Sequence, residues 1–358
     1  MFSVVKFLIA PDKFKGSLCA REAAEAIAAG IRDSLRHAEI TLLPIADGGE
    51  GTAEVICAAT GGEWHECEVH DPLGRLVVAR YCTIENGGTA VMEMSEASGL
   101  WRLAEDERDP LITSSFGTGE MLLDAAQRGA KEIIIGLGGS ATNDGGTGMA
   151  RALGFHFVDA DGVDLPPFPT DLLRLARIEA PAELRLPAIT AAVDVRNPLL
   201  GERGATRVFA PQKGAKPEDL ESLERALTRL ADVVGGEHRD APGAGAAGGL
   251  GFALLAFCGA ELRSGFDVVA ERVDLRAAIR DADVIITGEG RLDAQTREGK
   301  APAGVAKLAA AAGKRVFAIV GDSTGEADAL FDRVLVVGSI DRAVDLVRLR
   351  ARELARTL

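Results

Sequence analysis

A chain of 358 residues is longer than one hydrophobic core of roughly 100 to 200 residues usually organises, so two domains are expected. Apolar residues at 47% and charged ones at 26% suit a soluble globular protein, and 42 glycines against 4% aromatics indicate a loop-rich α/β chain with a core of Ala, Val, Leu and Ile. A net charge of −14 repels polyanions, and no run of Lys and Arg interleaved with aromatics offsets it, which excludes nucleic acid as a partner. A small anionic substrate is still admitted, because two or three lysines set the potential of their own pocket.

The five cysteines (Cys19, Cys57, Cys67, Cys82 and Cys258) are odd in number and lack C-x-x-C spacing, so neither a disulfide framework nor a zinc site is indicated and a reducing, cytoplasmic setting is expected. The apolar run Val4 to Ala10 is too short for a signal peptide and is broken by Lys6, so it is read as a first strand. No stretch approaches the ~20 apolar residues of a membrane span.

In chain order, the first strand is followed by a helix from Ser17 to Arg32, with Ser17 as the expected cap and Glu22 in the early turns. Between them lies Pro11-Asp12-Lys13-Phe14-Lys15-Gly16, whose two lysines at a strand's carboxyl end invite an anion. A second strand, Ile40 to Pro44, ends in Ala46-Asp47-Gly48-Gly49-Glu50-Gly51, where a carboxylate beside glycines suits a magnesium ion. A helix from Thr52 to Thr60 follows. From Glu63 to Ser95 the pattern changes to short alternating segments (Glu66 to His70, Leu76 to Thr83, Thr89 to Met94) separated by turn residues, which predicts antiparallel hairpins and a domain boundary near Gly61 and Gly62. A helix over Thr118 to Arg128 then leads to a strand over Glu132 to Leu137.

That strand empties into Gly136-Leu-Gly-Gly-Ser-Ala-Thr-Asn-Asp-Gly-Gly-Thr-Gly148, too glycine-rich for a plain turn. A helix starting near Asn143 would aim free N–H groups at phosphate or carboxylate. Further on, Asp161 to Pro187 is expected to cover an edge, and Ile189 to Asp194 is a strand ending in a carboxylate. Pro217 opens a helix reaching about Gly235, and Leu250 to Cys258 is helical. A return to β-α alternation (strand Asp283 to Thr287, helix Val305 to Ala312, strands Arg315 to Val320 and Arg333 to Val337) suggests that the two chain ends share one sheet. The active site is then expected in a cleft between this domain and the inserted middle.

Familiar nucleotide signatures fail. G-x-x-x-x-G-K-[ST] is absent, because Gly299-Lys300 is followed by Ala301 and preceded at the required position by Ala294. A G-x-G-x-x-G at Gly243, Gly245 and Gly248 does not follow a strand, so a 2-hydroxy-acid dehydrogenase using NAD is a distant alternative. None of His37, His65, His70, His156 and His238 lies in the strand-end loops, so serine hydrolase chemistry fits poorly. Lysines, carboxylates and glycine-rich loops at strand ends are what phosphoryl transfer requires.

Five segments in order, Ala10-Pro-Asp-Lys-Phe-Lys-Gly-Ser17, Ala46-Asp-Gly-Gly-Glu-Gly51, the Gly-Gly-Ser-Ala-Thr-Asn-Asp-Gly-Gly run from Gly138, Pro211-Gln-Lys-Gly214 and Thr287-Gly-Glu-Gly-Arg-Leu-Asp293, resemble the bacterial type I glycerate kinases over essentially the whole chain. Lys13 stands where many members carry serine. The resemblance implies ATP-dependent phosphorylation of D-glycerate, in most such enzymes at the 2-hydroxyl. It also implies a discontinuous flavodoxin/Rossmann-like parallel-sheet domain (1–61 plus 282–358) with an inserted mixed α/β domain (62–281).

On this reading Lys13, Lys15 and Ser17 bind the glycerate carboxylate or the transferring phosphate, with Lys213 and Arg291 contributing further positive charge. Gly138, Gly139, Ser140, Thr142 and Asn143 cradle the ATP phosphates, and Asp47 and Glu289 hold Mg2+. Asp194 is the expected base for the substrate hydroxyl, with Asp144 second. A kinase forming 3-phosphoglycerate, or acting on another small hydroxy acid, shares every feature. Small molecules are the expected partners, without nucleic acid or membrane, and self-association into a homo-oligomer is left open.

Overall fold

The computed structural model describes residues 5–294, 296, 300–338 and 342–358; Val4 and Gly299 of the segments above, and Gln295, lie outside the described residues. Contacts divide the chain into two compact units, residues 1–60 with 264–358 and residues 61–263.

The first unit is built on a five-stranded sheet ordered Arg333–Val336, Arg315–Val320, Val284–Thr287, Lys6–Ile9 and Glu39–Leu42, with every neighbouring pair parallel. The N-terminal strand therefore pairs with one from the far end of the chain, Leu8 opposite Ile285. Such a buried strand must be apolar on both faces, and Phe7, Leu8, Ile9, Ile285 and Ile286 have at most 1% exposure.

Helices Ala20–Ser34 and Ala343–Ala355 pack together over one face, and small residues set their spacing: a Cβ at Gly30 would lie 2.2 Å from the Arg348 carbonyl oxygen. The first helix begins three residues later than expected. Ser17 is not its cap: Cys19 Sγ accepts from the Glu22 N–H, the Glu22 carboxylate accepts from the Cys19 N–H, and the Ser17 hydroxyl donates instead to the Phe14 carbonyl. The C-terminal helix had no counterpart in the sequence reading.

The second unit carries a six-stranded mixed sheet in the order Glu261–Ser264, Ala188–Val193, Glu132–Gly136, Thr89–Glu93, Leu76–Ile84 and Glu63–His70. The last three named form the expected antiparallel meander, and Thr89–Glu93, Glu132–Gly136 and Ala188–Val193 run parallel. Within Asp161 to Pro187, Arg177–Glu179 pairs antiparallel with His156–Val158, which precedes that segment. Pro217 precedes its helix instead of opening it: the helix spans Leu220–Val234 and ends on Gly235 at φ +110°.

Residues 264–281, placed with the insertion by the sequence reading, group with the first unit. They form helices Gly265–Arg272 and Leu275–Asp281, and the Phe266 ring fills the space over Gly304, 2.3 Å from where a Cβ would stand.

Candidate active site

Each unit gathers one polar cluster at the carboxyl ends of its parallel strands. In the first unit the chain passes from Lys6–Ile9 to one side of the sheet and from Val284–Thr287 to the other, so the winding reverses between these two strands. Loops leaving such a point diverge and open a crevice.

The loop after the first strand lies against the loop after Val284–Thr287: the Asp12 N–H donates to the Gly288 carbonyl at 2.8 Å, and a Cβ on Gly290 would stand 2.9 Å from the Lys15 backbone nitrogen. Gly16, at φ +81°, turns the chain back so that the Ser17 N–H meets the Phe14 carbonyl at 2.8 Å, leaving Lys15 exposed at the tip. Lys13 Nζ donates to the Glu50 carbonyl, which brings it over the Asp47 loop, where Asp47 Oδ1 accepts the Gly49 N–H at 3.2 Å.

The carboxylates here repel one another. Asp12 is buried, and burial first, then the charge of Asp47, push its carboxyl up to about 8. Burial likewise raises Glu289 to about 7, against a hydrogen bond from Thr296 Oγ1 at 2.8 Å. Neither Asp12 nor Thr296 carries an expected role in the linear sequence, where the strand order that buries Asp12 beside Gly288 is invisible. Arg291 is exposed, on a two-residue strand that pairs with Asp322–Ser323. Among the described residues no group of three or more His, Cys, Asp or Glu is arranged to hold a metal ion.

In the second unit, the glycine-rich loop follows Glu132–Gly136. Its helix begins at Thr147, four residues after Asn143, and the expected free N–H groups are already taken. Asp144, wholly buried, accepts from the Gly146 N–H on Oδ1 and from the Gly148 N–H, the Ser115 N–H and the Ser115 hydroxyl on Oδ2, all between 2.7 and 3.1 Å. A carboxylate with its oxygens so engaged is an internal brace, and this geometry argues against Asp144 as a proton acceptor for substrate.

Only the start of the loop reaches the surface: Gly139 is exposed, whereas Thr142 and Asn143 are buried. Lys213 is buried too, and Nζ donates to Ser140 Oγ and to the Thr142 carbonyl, each at 2.7 Å. Burial without a bonded carboxylate pulls the amine down to about 7, partly offset by the charge of Asp144. Asn143 Nδ2 donates to Thr206 Oγ1 at 3.1 Å, while Asn143 Oδ1 and Thr142 Oγ1 are buried without a partner, a costly arrangement that a bound polar group would relieve.

Gly243, Gly245 and Gly248 serve packing: a Cβ on Gly248 would lie 1.9 Å from the Thr142 carbonyl and one on Gly245 would lie 2.2 Å from that of Pro198. They hold their own chain against neighbouring loops, which gives the dinucleotide alternative no support. Asp194 is exposed just past Ala188–Val193.

A family model described as the glycerate kinase family matches residues 7–353. The chain belongs to the glycerate kinase family. It is 46% identical to the glycerate kinase of Bacillus subtilis strain 168, over 91% of this chain and 87% of that protein. It is 43% identical to the glycerate 2-kinase of Escherichia coli K12, over 99% and 98%. A crystal structure assigned as glycerate kinase 2 from Salmonella typhimurium LT2 superposes with a TM-score of 0.88 at 44% identity, covering 99% of this chain and 98% of that one. Family membership makes the protein an ATP-dependent kinase and agrees with the α/β architecture read from the sequence.

Proposed function

We propose that this family member transfers the γ-phosphoryl group of ATP to the 2-hydroxyl of D-glycerate, giving 2-phospho-D-glycerate. The observation that carries the reading is the near full-length similarity to the E. coli protein named glycerate 2-kinase. Lys13, Lys15, Ser17 and Arg291 bind the carboxylate or the transferring phosphoryl group, whose charge requires positioned cations. Gly138, Gly139, Ser140, Thr142 and Asn143 hold nucleotide phosphates, and the partnerless Thr142 hydroxyl, which can donate, supports that assignment. Lys213, bonded to Ser140 and Thr142, supports this loop from behind.

Asp47 and Glu289 fit Mg2+ in chemistry: hard carboxylate oxygens are its preferred ligands, and a cation there would favour the ionised form of Glu289, which burial chiefly and the charges of Asp293 and Asp47 in lesser part now disfavour. Bound Mg2+ would neutralise phosphate charge. Asp194 accepts the proton of the attacking hydroxyl. The five free cysteines support a cytoplasmic, reducing location, and no helix among the described residues is long and apolar enough to cross a membrane.

The test is incubation with ATP, magnesium and D-glycerate followed by phosphorus NMR of the product. A 2-phosphate signal is expected; 3-phosphoglycerate would overturn the regiochemistry, and absence of ADP formation the activity.

A further inference from the structure

Lys213 closes the short 3-10 turn Pro211–Lys213 and is only 2% exposed. A lysine that captures a diffusing anion needs an accessible ammonium, and here the head group is committed to two oxygens of the same loop, the Ser140 hydroxyl and the Thr142 carbonyl. Lys213 therefore reaches a ligand only through Ser140, which adjoins the exposed Gly139.

A hydroxyl has one hydrogen to give and lone pairs to offer. Opposite an ammonium, which only donates, Ser140 Oγ must accept, and its hydrogen turns outward. A neutral amine keeps two N–H donors and gains a lone pair, so it no longer compels Ser140 Oγ to accept: the hydroxyl hydrogen can turn inward, and a lone pair then faces the ligand. An anionic oxygen is attracted in the first case and repelled in the second.

Both states are accessible near neutral pH, since burial brings Lys213 to about 7. The charged groups on the elements packed about it are Asp144, which favours the ammonium, Arg108, whose carbonyl abuts Gly214, and Arg207, which is paired with Glu202 and Glu221.

We propose that Lys213 is a positioning residue that sets the direction of the Ser140 hydroxyl and thereby tunes the affinity of the glycine loop for a nucleotide phosphate oxygen. The inference rests on assigning this loop to nucleotide phosphates. Its sign follows from the hydroxyl geometry: protonated Lys213 strengthens anion binding, and the gain is lost as pH rises through its ionisation.

The experiment is calorimetric titration of the full chain with ADP from about pH 6 to about pH 8.5, a range that spans the ionisation of the amine, for the wild type, Ser140→Ala and Lys213→Met. The ratio of dissociation constants, Ser140→Ala over wild type, cancels the ligand's own titration. It should be about tenfold at the acid end, the worth of one charge-assisted hydrogen bond, and fall to one or below at the alkaline end. The same ratio measured in the Lys213→Met background should be flat.

A pH-independent ratio between wild type and Ser140→Ala would overturn the proposal, and that comparison decides the matter even where Lys213→Met does not fold. Failure of the wild type to bind ADP at any pH would instead overturn the nucleotide assignment of the loop.

Discussion

The replacement Asp144→Asn tests the brace inside the glycine-rich loop without opening a cavity, because the two side chains are nearly isosteric. Four donors converge on the carboxylate, one on Oδ1 and three on Oδ2. The least damaging orientation places the amide nitrogen at Oδ1, where it opposes the Gly146 N–H. That leaves the Gly146 N–H, and with it the new amide hydrogens, buried without acceptors, at about 1–3 kcal/mol or more, and removes charge assistance from three further bonds, at roughly 0.5–1 kcal/mol each. The expected loss is then about 3 kcal/mol or more, a large part of the roughly 5–15 kcal/mol that stabilises a domain.

The assay is convenient, because both tryptophans, Trp64 and Trp101, lie in the unit spanning 61–263. Tryptophan fluorescence during thermal unfolding should show that unit melting about 6–12 °C lower, using roughly 2–4 °C per kcal/mol for its size. A shift within about 3 °C of the wild type would refute the reasoning, since it would mean that the donors find water or other acceptors at little cost.

Two further outcomes are expected, one in each unit. Gly248→Ala puts a Cβ 1.9 Å from the Thr142 carbonyl on a residue at φ +68°, so it should destabilise the same unit by more than the roughly 1–2 kcal/mol of the left-handed conformation alone and weaken ADP binding; unchanged melting and affinity would show the close approach to be dispensable. Asp12 has a carboxyl raised from 3.8 to about 8, so the folded state keeps a proton that the unfolded chain releases, and stability falls as pH rises from about 4 to about 8. Asp12→Asn should flatten that decline and raise the melting temperature of the first unit at pH near 8 in magnesium-free buffer while changing little near pH 4; calorimetry giving parallel pH profiles for the two proteins would contradict it.

What the linear sequence determined was local. Runs such as Ile133-Ile134-Ile135 and Val284-Ile285-Ile286 mark buried strands because β-branched apolar residues suit a pleated, two-sided environment, and glycine clusters mark the loops that leave them. The change from β-α alternation to hairpins after Gly61 is likewise written in the periodicity, and the five separated motifs carry the family. Only tertiary structure decided which polar groups meet: Lys213 with Ser140, 73 residues apart, Asp144 with Ser115, 29 apart, and Asp12 with the loop after Val284–Thr287. The physical reason is that burial decides the outcome: a lysine in solvent is an anion ligand, but the same residue stripped of water must bond inward, and an aspartate at a helix start caps that helix itself when no ligand reaches it.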